Sequence, residues 1–309
     1  MIDARLKKMI VVAITGLRED LRDSAPHMAP QVSGWMSALG RGVAHRTFTH
    51  HESYPTMLMP WWLEGSLRGR RDAAFQRDLV RSSVSGYYFI RLVDHVMDGH
   101  ADGEHAFLPA AAFFHMHFQR PYHRHFPNVH PFWRSFTDHW MHGADAAVRD
   151  GALTSIDREQ FVRVAAQKVA AAKVPLAAVC HRYGQMDRFG RWARFADAVG
   201  CFSQMLDDVL DWNMDMMRES DRSSTYFLTE GERRRRRTET IAEWVVREGF
   251  AWGMGQAREW LWEARRLSEA LEAPELAGYL LGREATLRRL TERVSRGLEQ
   301  FAAVAAAMH

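Results

Sequence analysis

The 309-residue sequence predicts an all-α chain folded as a single domain, 1–309. Three observations carry that expectation. Apolar residues recur at helical spacing through most of the chain, and alternating strand patterns are almost absent. The 21 Gly and 10 Pro fall mostly between the periodic segments. No Ser/Gly/Pro-rich linker divides the chain, and no repeat of about 20 to 50 residues marks a solenoid.

The predicted helices span 3–22, 31–44, 57–68, 71–99, 106–118, 130–149, 155–183, 186–219, 239–271 and 275–307. The first begins with a basic patch and a short apolar run, faintly like a signal peptide. Charge returns at Arg18 to Asp20, however, and no small-residue cleavage site follows, so it reads as an amphipathic helix. The 71–99 segment ends in an acidic patch, and a His-rich stretch runs from His95 to His142. Thr154 and Asp157 form an expected capping box for 155–183, in which Pro175 predicts a kink. A second acidic patch lies within 186–219. Arg233 to Arg237 precede 239–271 and read either as a solvated loop or as a contact for phosphate or nucleic acid. Long helices with short connections suggest one large bundle.

Composition narrows the function. With 41 basic residues against 38 acidic ones, the net charge of +3 is no footprint of a nucleic-acid binder. No apolar run approaches the roughly 18 to 20 residues of a membrane span. Two cysteines outside any CxxC pair cannot build a disulfide framework, which fits a reducing cytoplasm. Only Lys7, Lys8, Lys168 and Lys173 are lysines among the basic residues, an Arg bias of the kind GC-rich bacterial genomes show.

The two acidic patches carry the chemistry. Asp94 and Asp98 are four residues apart, offset by roughly 40° and about 6 Å along one helix face. Asp207, Asp211 and Asp215 follow at i, i+4 and i+8, a three-carboxylate ridge. Like charges at this spacing destabilise a helix by a few tenths of a kcal/mol per pair. No Lys or Arg lies between Phe202 and Met217 to relieve them. Divalent cations would remove the conflict, and hard carboxylate oxygens suit Mg²⁺.

These residues resemble the paired aspartate motifs of class I isoprenoid synthases. Tyr87-x-x-x-Arg91-x-x-Asp94-x-x-x-Asp98 is similar to the first motif of squalene and phytoene synthases. Gly200-x-Phe202-x-Gln204-x-x-Asp207-x-x-x-Asp211-x-x-x-Asp215 resembles the second, with Asp207 where Asn is usual. Gln204, Asp207, Asp208 and Asp211 also resemble the Phe-Gln-x-x-Asp-Asp-x-x-Asp motif of chain-elongating synthases, and the ridge keeps the ligand spacing of terpene cyclases. The resemblance covers about 85–230. It implies an all-α bundle of the class I isoprenoid synthase type with a central active-site cavity, and Mg²⁺ as cofactor, three ions with diphosphate. A prenyl diphosphate is the implied partner, and dimers are frequent among such proteins, so a homodimer is a further expectation.

The same resemblance implies that Asp94, Asp98, Asp207, Asp211 and Asp215 bind metal. Arg91, Lys173, Arg222 and Tyr226 become the expected diphosphate ligands, although Arg91 lies three residues before Asp94 and equally reads as an ion pair. Tyr87, two turns below Asp94, reads as cavity lining or as core. Gly200, Ser203 and Gln204 complete the expected lining, with Gly200 and Ser203 small enough to leave room for substrate. Departures matter too. The early Gly40 to Arg46 segment lacks the Gly-Lys-x-x-Arg-Pro pattern of elongating enzymes, no Arg pair follows Asp98, and His95 stands where a second Asp is common. These departures argue against ordinary chain elongation. The resulting expectation is a terpene synthase that ionises a linear prenyl diphosphate and cyclises the cation. Head-to-head condensation of two prenyl diphosphates is the alternative. Eleven Trp, 17 Phe and 7 Tyr could line a dry cavity and face a carbocation.

The histidines offer a competing reading. Ten of 16 fall between His95 and His142, including His115-x-His117, His123-x-His125 and His139-x-x-His142. Imidazole clusters bind transition metals. Yet Glu-x-x-His repeats of di-iron bundles are absent, and His115 and His117 would point to different helix faces.

Overall fold

A computed structural model describes residues 2–50, 53–97, 104–150, 152–217 and 225–307, and among these no strand occurs. The α-helices are α1 (Ala4–Ser24), α2 (Ala29–Leu39), α3 (Arg46–Thr49), α4 (Leu58–Arg68) and α5 (Ala73–Met97). Then come α6 (Leu108–Gln119), α7 (Phe132–Asp150), α8 (Arg158–Lys168), α9 (Val174–Tyr183) and α10 (Met186–Leu210). The last are α11 (Trp212–Met217), α12 (Tyr226–Arg234), α13 (Ile241–Trp244), α14 (Phe250–Ser268) and α15 (Glu275–Ala307). The chain forms two compact units, Met1–Trp140 with Ala171–Trp192, and Met141–Ala170 with Ala193–His309.

In the first unit, α1 begins because the Asp3 carboxylate accepts from the Arg5 amide at 2.7 Å. It buries Leu6, Ile10, Ile14, Leu17 and Leu21 on one stripe, so the N-terminal segment is an amphipathic helix. Helix α1 packs mainly against α5 and α2, and α5 packs most extensively against α6. Phe118, Tyr122, Phe132 and Phe136 form a buried aromatic core beside α5, with ring centroids 4.9 to 6.2 Å apart. Val174 to Cys180 are all buried in α9, which packs on α4.

The second unit opens on the C-terminal part of α7, from Met141, and continues into α8. Its capping box is Asp157 with Gln160, one register later than the expected Thr154 with Asp157. Asp157 is the residue in extended conformation whose carboxylate reaches the Gln160 amide at 2.8 Å, which fixes it as the cap. Helices α14 and α15 pack side by side.

Three of the expected helices divide. The 155–183 segment breaks at a 3-10 turn, Ala170–Lys173, after which α9 starts with Pro175 in its first turn, where its missing N–H costs nothing. The 186–219 segment bends at Asp211, between α10 and α11. In 239–271, a π-helical turn at Val245–Gly249 joins α13 to α14. Residues 226–234, given no helix by periodicity, form α12 behind a Thr225 cap.

Candidate functional site

The first aspartate motif lies on α5, where Tyr87, Arg91 and Asp94 at i, i+4 and i+7 share one face. Arg91 Nη1 donates to Asp94 Oδ2 at 2.8 Å, and Arg91 Nη2 lies 2.7 Å from His95 Nε2. Of the two readings for Arg91, the ion pair is therefore the one present here. Both side chains are about four-tenths exposed (38% and 41%), so the pair is accessible to an incoming ligand. The Tyr87 ring packs edge-on against Phe48 at 4.9 Å and Tyr88 at 5.7 Å. Burial raises its hydroxyl pKa, Arg91 opposes that shift, and Asp94 adds to it. Lys173 belongs to the same unit. It ends the 3-10 turn ahead of α9 and is buried. Asp98 lies outside the described residues.

The second motif spans the end of α10. The Asp211 amide donates to the Asp207 carbonyl at 2.9 Å, and the Asp215 amide to the Asp211 carbonyl at 3.0 Å. These i to i−4 bonds carry helical spacing through the bend, so the three carboxylates stay in one row. Asp207 and Asp211 are exposed, and Asp215 is half-buried. The bend leaves Asp211 directly before α11, whose first turn holds Asp215.

Asp208 lies beside the row but is not one of the expected ligands. Its side chain is buried, and Gln204 Nε2 donates to its Oδ1 at 2.7 Å. Burial pushes its pKa up to about 7. Gln204 and Lys168 oppose that rise, while Asp215 and Asp150 add to it. Lys168, from α8, pairs with Asp150. The acidic segment thus has a nearby cation after all, supplied by a different helix. Asp208's place in the double-aspartate pattern was the available signal. For Lys168 it was rarity, one of four lysines in the chain.

Other expected residues have different surroundings. Gly200 does not open space for a substrate. A β-carbon there would stand 2.8 Å from Val169 Cγ2 and 3.2 Å from the Ala165 carbonyl, so the glycine lets α8 and the residue after it approach α10. Ser203 is half-buried. Tyr226 is buried at the start of α12, stacked on Phe161 at 5.1 Å and leaning on Trp252 at 5.6 Å. Arg222 lies outside the described residues.

The arginine run is folded. Arg233 and Arg234, in the last turn of α12, both pair with Glu230 at 2.8 and 2.9 Å, and Arg234 lies over the Trp252 ring. Arg235 pairs with Glu232 at 2.7 Å. Several of the histidines have separate partners, while His130 and His181 lie edge to face at 5.5 Å. His115 packs between Phe89 and Trp140, His123 on Trp133, His139 on Phe189, and His125 bonds Asp78 at 2.9 Å. Among the described residues no three His, Cys, Asp or Glu side chains come together as a metal cluster. The hard-oxygen row of Asp207, Asp211 and Asp215, with Asp208 buried against further acid, has the donor chemistry that suits Mg²⁺ rather than a softer ion.

No protein-family model and no curated protein matches the sequence. Among solved structures, a geranylgeranyl pyrophosphate synthetase from the archaeon Geoglobus acetivorans is similar in fold, with a TM-score of 0.60 at 14% identity. The match covers 90% of this chain and 98% of that one. The chain has the all-helical isoprenoid synthase fold. Among the described residues no helix is long and apolar enough to cross a membrane.

Proposed function

We propose that the chain is a cytoplasmic, single-domain class I isoprenoid synthase. In this reading it ionises a linear allylic prenyl diphosphate, cyclises the carbocation and releases diphosphate. The observation that supports this most is the row of Asp207, Asp211 and Asp215, held in helical register through a bend. A row of like charges costs stability, and ligand binding is the function that repays it.

Asp94 and Asp98, with Asp207, Asp211 and Asp215, would hold Mg²⁺. Mg²⁺ held by these carboxylates would supply the positive charge that neutralises a departing diphosphate. Arg91 exchanges Asp94 for a diphosphate oxygen, and Lys173 and Arg222 donate further charge-assisted hydrogen bonds. Tyr226 is assigned to the same anion through its hydroxyl. Tyr87, Ser203 and Gln204 shape the apolar side, and Gln204 also keeps Asp208 oriented. Exclusion of water protects the cation, and aromatic faces stabilise it.

Head-to-head condensation is the second reading, favoured by the Tyr87-x-x-x-Arg91-x-x-Asp94-x-x-x-Asp98 spacing. Purified protein with Mg²⁺ and prenyl diphosphates of two to five isoprene units, analysed by mass spectrometry, separates them. A cyclic product supports cyclisation, whereas doubled carbon number supports condensation. Asp94→Ala and Asp211→Ala should each lower turnover by about 100-fold or more, the scale expected when a transition-state charge partner is lost. Unchanged diphosphate release in both would overturn the assignment.

A further inference from the structure

A basic pocket in the first unit has no part in the chemistry proposed above. Asp20 of α1, Arg81 of α5, His117 of α6, and Arg120, Pro121 and Arg124 of the 3-10 turn after α6 line a cavity of about 300 Å³. Arg81 precedes Asp94 by thirteen residues on one helix, which puts it on the order of 20 Å away along the axis.

The pocket is built rather than incidental. Gly16 leaves space for the Arg81 guanidinium, since a β-carbon there would stand 3.0 Å from Arg81 Nη1. One turn on, Asp20 pairs with Arg81 Nη2, which also donates to His117 Nδ1 at 3.3 Å. A guanidinium only donates, so His117 Nδ1 accepts and the neutral ring carries its proton on Nε2. His117 is 4% exposed. Its pKa is lowered, first by burial and then by Arg81, with Asp20 opposing and Arg120 adding. Arg81 is therefore a tethered floor whose charge Asp20 answers.

The remaining cations are less committed. Arg124 reaches Asp78 at 2.7 Å, yet its side chain is 63% exposed. Arg120 is exposed and makes no ion pair among the described residues. Three guanidinium groups thus face one lining carboxylate. Guanidinium forks match phosphate oxygens in a bidentate manner. The volume sits at the small end of ligand pockets, which suits a compact anion.

We propose that this pocket binds a phosphate-bearing anion of diphosphate size at a site remote from Asp94, with Arg120 and Arg124 as the principal donors and Arg81 as the fixed base. The anion bridges Arg120 and Arg124 and relieves the repulsion between them. Asp20 keeps Arg81 in place and repels any anion that penetrates deeper.

The test uses the full chain stripped of metal with a chelator, so that Mg²⁺-dependent binding at the aspartates is silent. Calorimetric titration with inorganic diphosphate, at ionic strength held constant with chloride, should show saturable binding. Arg120→Ser with Arg124→Ser should weaken it at least tenfold while leaving the far-ultraviolet circular dichroism unchanged. Arg124→Ser alone, at an exposed side chain, should weaken it at least threefold and serves if the double variant does not fold. Asp211→Asn should bind as the parent does. Inorganic phosphate and a prenyl diphosphate distinguish the source. Equal affinity for free and prenyl diphosphate identifies headgroup recognition, and tighter binding of phosphate identifies a monoester-type ligand. Absence of metal-free binding, or binding untouched by the arginine substitutions, would overturn the site, as would loss confined to Asp211→Asn. None of these results bears on whether the aspartates support turnover, so the two assignments fail separately.

Discussion

A side chain at position 200 would have to displace Val169 and the Ala165 carbonyl, because α10 and the α8 end meet there without a gap. Gly200→Val should therefore destabilise the fold by roughly 1 to 3 kcal/mol, the usual range for overpacking. Urea unfolding reads this directly. Unchanged stability with altered product size would instead return Gly200 to the cavity wall. Asp208 and Asp207 show what a single position can decide. Residue 207 is exposed in the carboxylate row, whereas residue 208 is turned inward beside Gln204, with Lys168 and Asp150 acting on it electrostatically. The row was legible because a spacing of four residues is a local property of a helix. Asp208 was not, because its burial depends on α8 and the end of α7, and nothing within Phe202 to Met217 announces a lysine forty residues earlier. Arg91 was legible only as a pair of alternatives, since reach to Asp94 at i+3 and reach to a ligand come from the same side chain.

At the scale of elements, α12 takes Arg233 and Arg234 out of the expected loop, while Arg235 to Arg237 stay in the connection to α13. Arg233 to Arg235 pair with Glu230 and Glu232, and Glu239 holds Arg247 through two hydrogen bonds of 2.6 and 2.8 Å. Hydrogen bonding from Arg247 is the first cause that pulls the Glu239 pKa down to about 2, with the Arg236 amide assisting. A carboxyl depressed in the folded state stabilises above its unfolded pKa of about 4.3 and loses that contribution as pH falls through the folded value. Glu239→Gln should lower the melting temperature at pH 7, and the gap to the parent should shrink progressively from about pH 4.5 towards pH 2. A gap independent of pH would mean that the ion pair is not the cause. Periodicity missed this segment because nine residues of α12 are too few to display a stripe among so many arginines. The breaks at Ala170–Lys173 and at Asp211 escaped for a related reason. Apolar spacing continues across both, and only the Pro175 ring hinted at the first.

For the molecule as a whole, Mg²⁺ and diphosphate together should raise the melting temperature, with about 2.7 kcal/mol gained when the ligand stands at one hundred times its dissociation constant. Measured in the Arg120→Ser, Arg124→Ser background, this increment should need both components and disappear in Asp211→Asn. Persistence in Asp211→Asn would separate the aspartate row from metal binding. The all-helical class and most long helices could be read from the sequence, since apolar periodicity and sparse Gly and Pro are properties of each segment alone. The isoprenoid synthase fold was legible through two aspartate motifs whose internal spacing is helical. Other features were decided only by packing. They include the close approach at Gly200, the inward turn of Asp208, the separate partners of His123 and His125, and a pocket that gathers Asp20, Arg81 and Arg120 from distant stretches of chain. The sequence by itself determined what repeats along a helix axis. The tertiary structure decided what lies across it, because a side chain's burial, partner and charge state are set by neighbours that the local period does not contain.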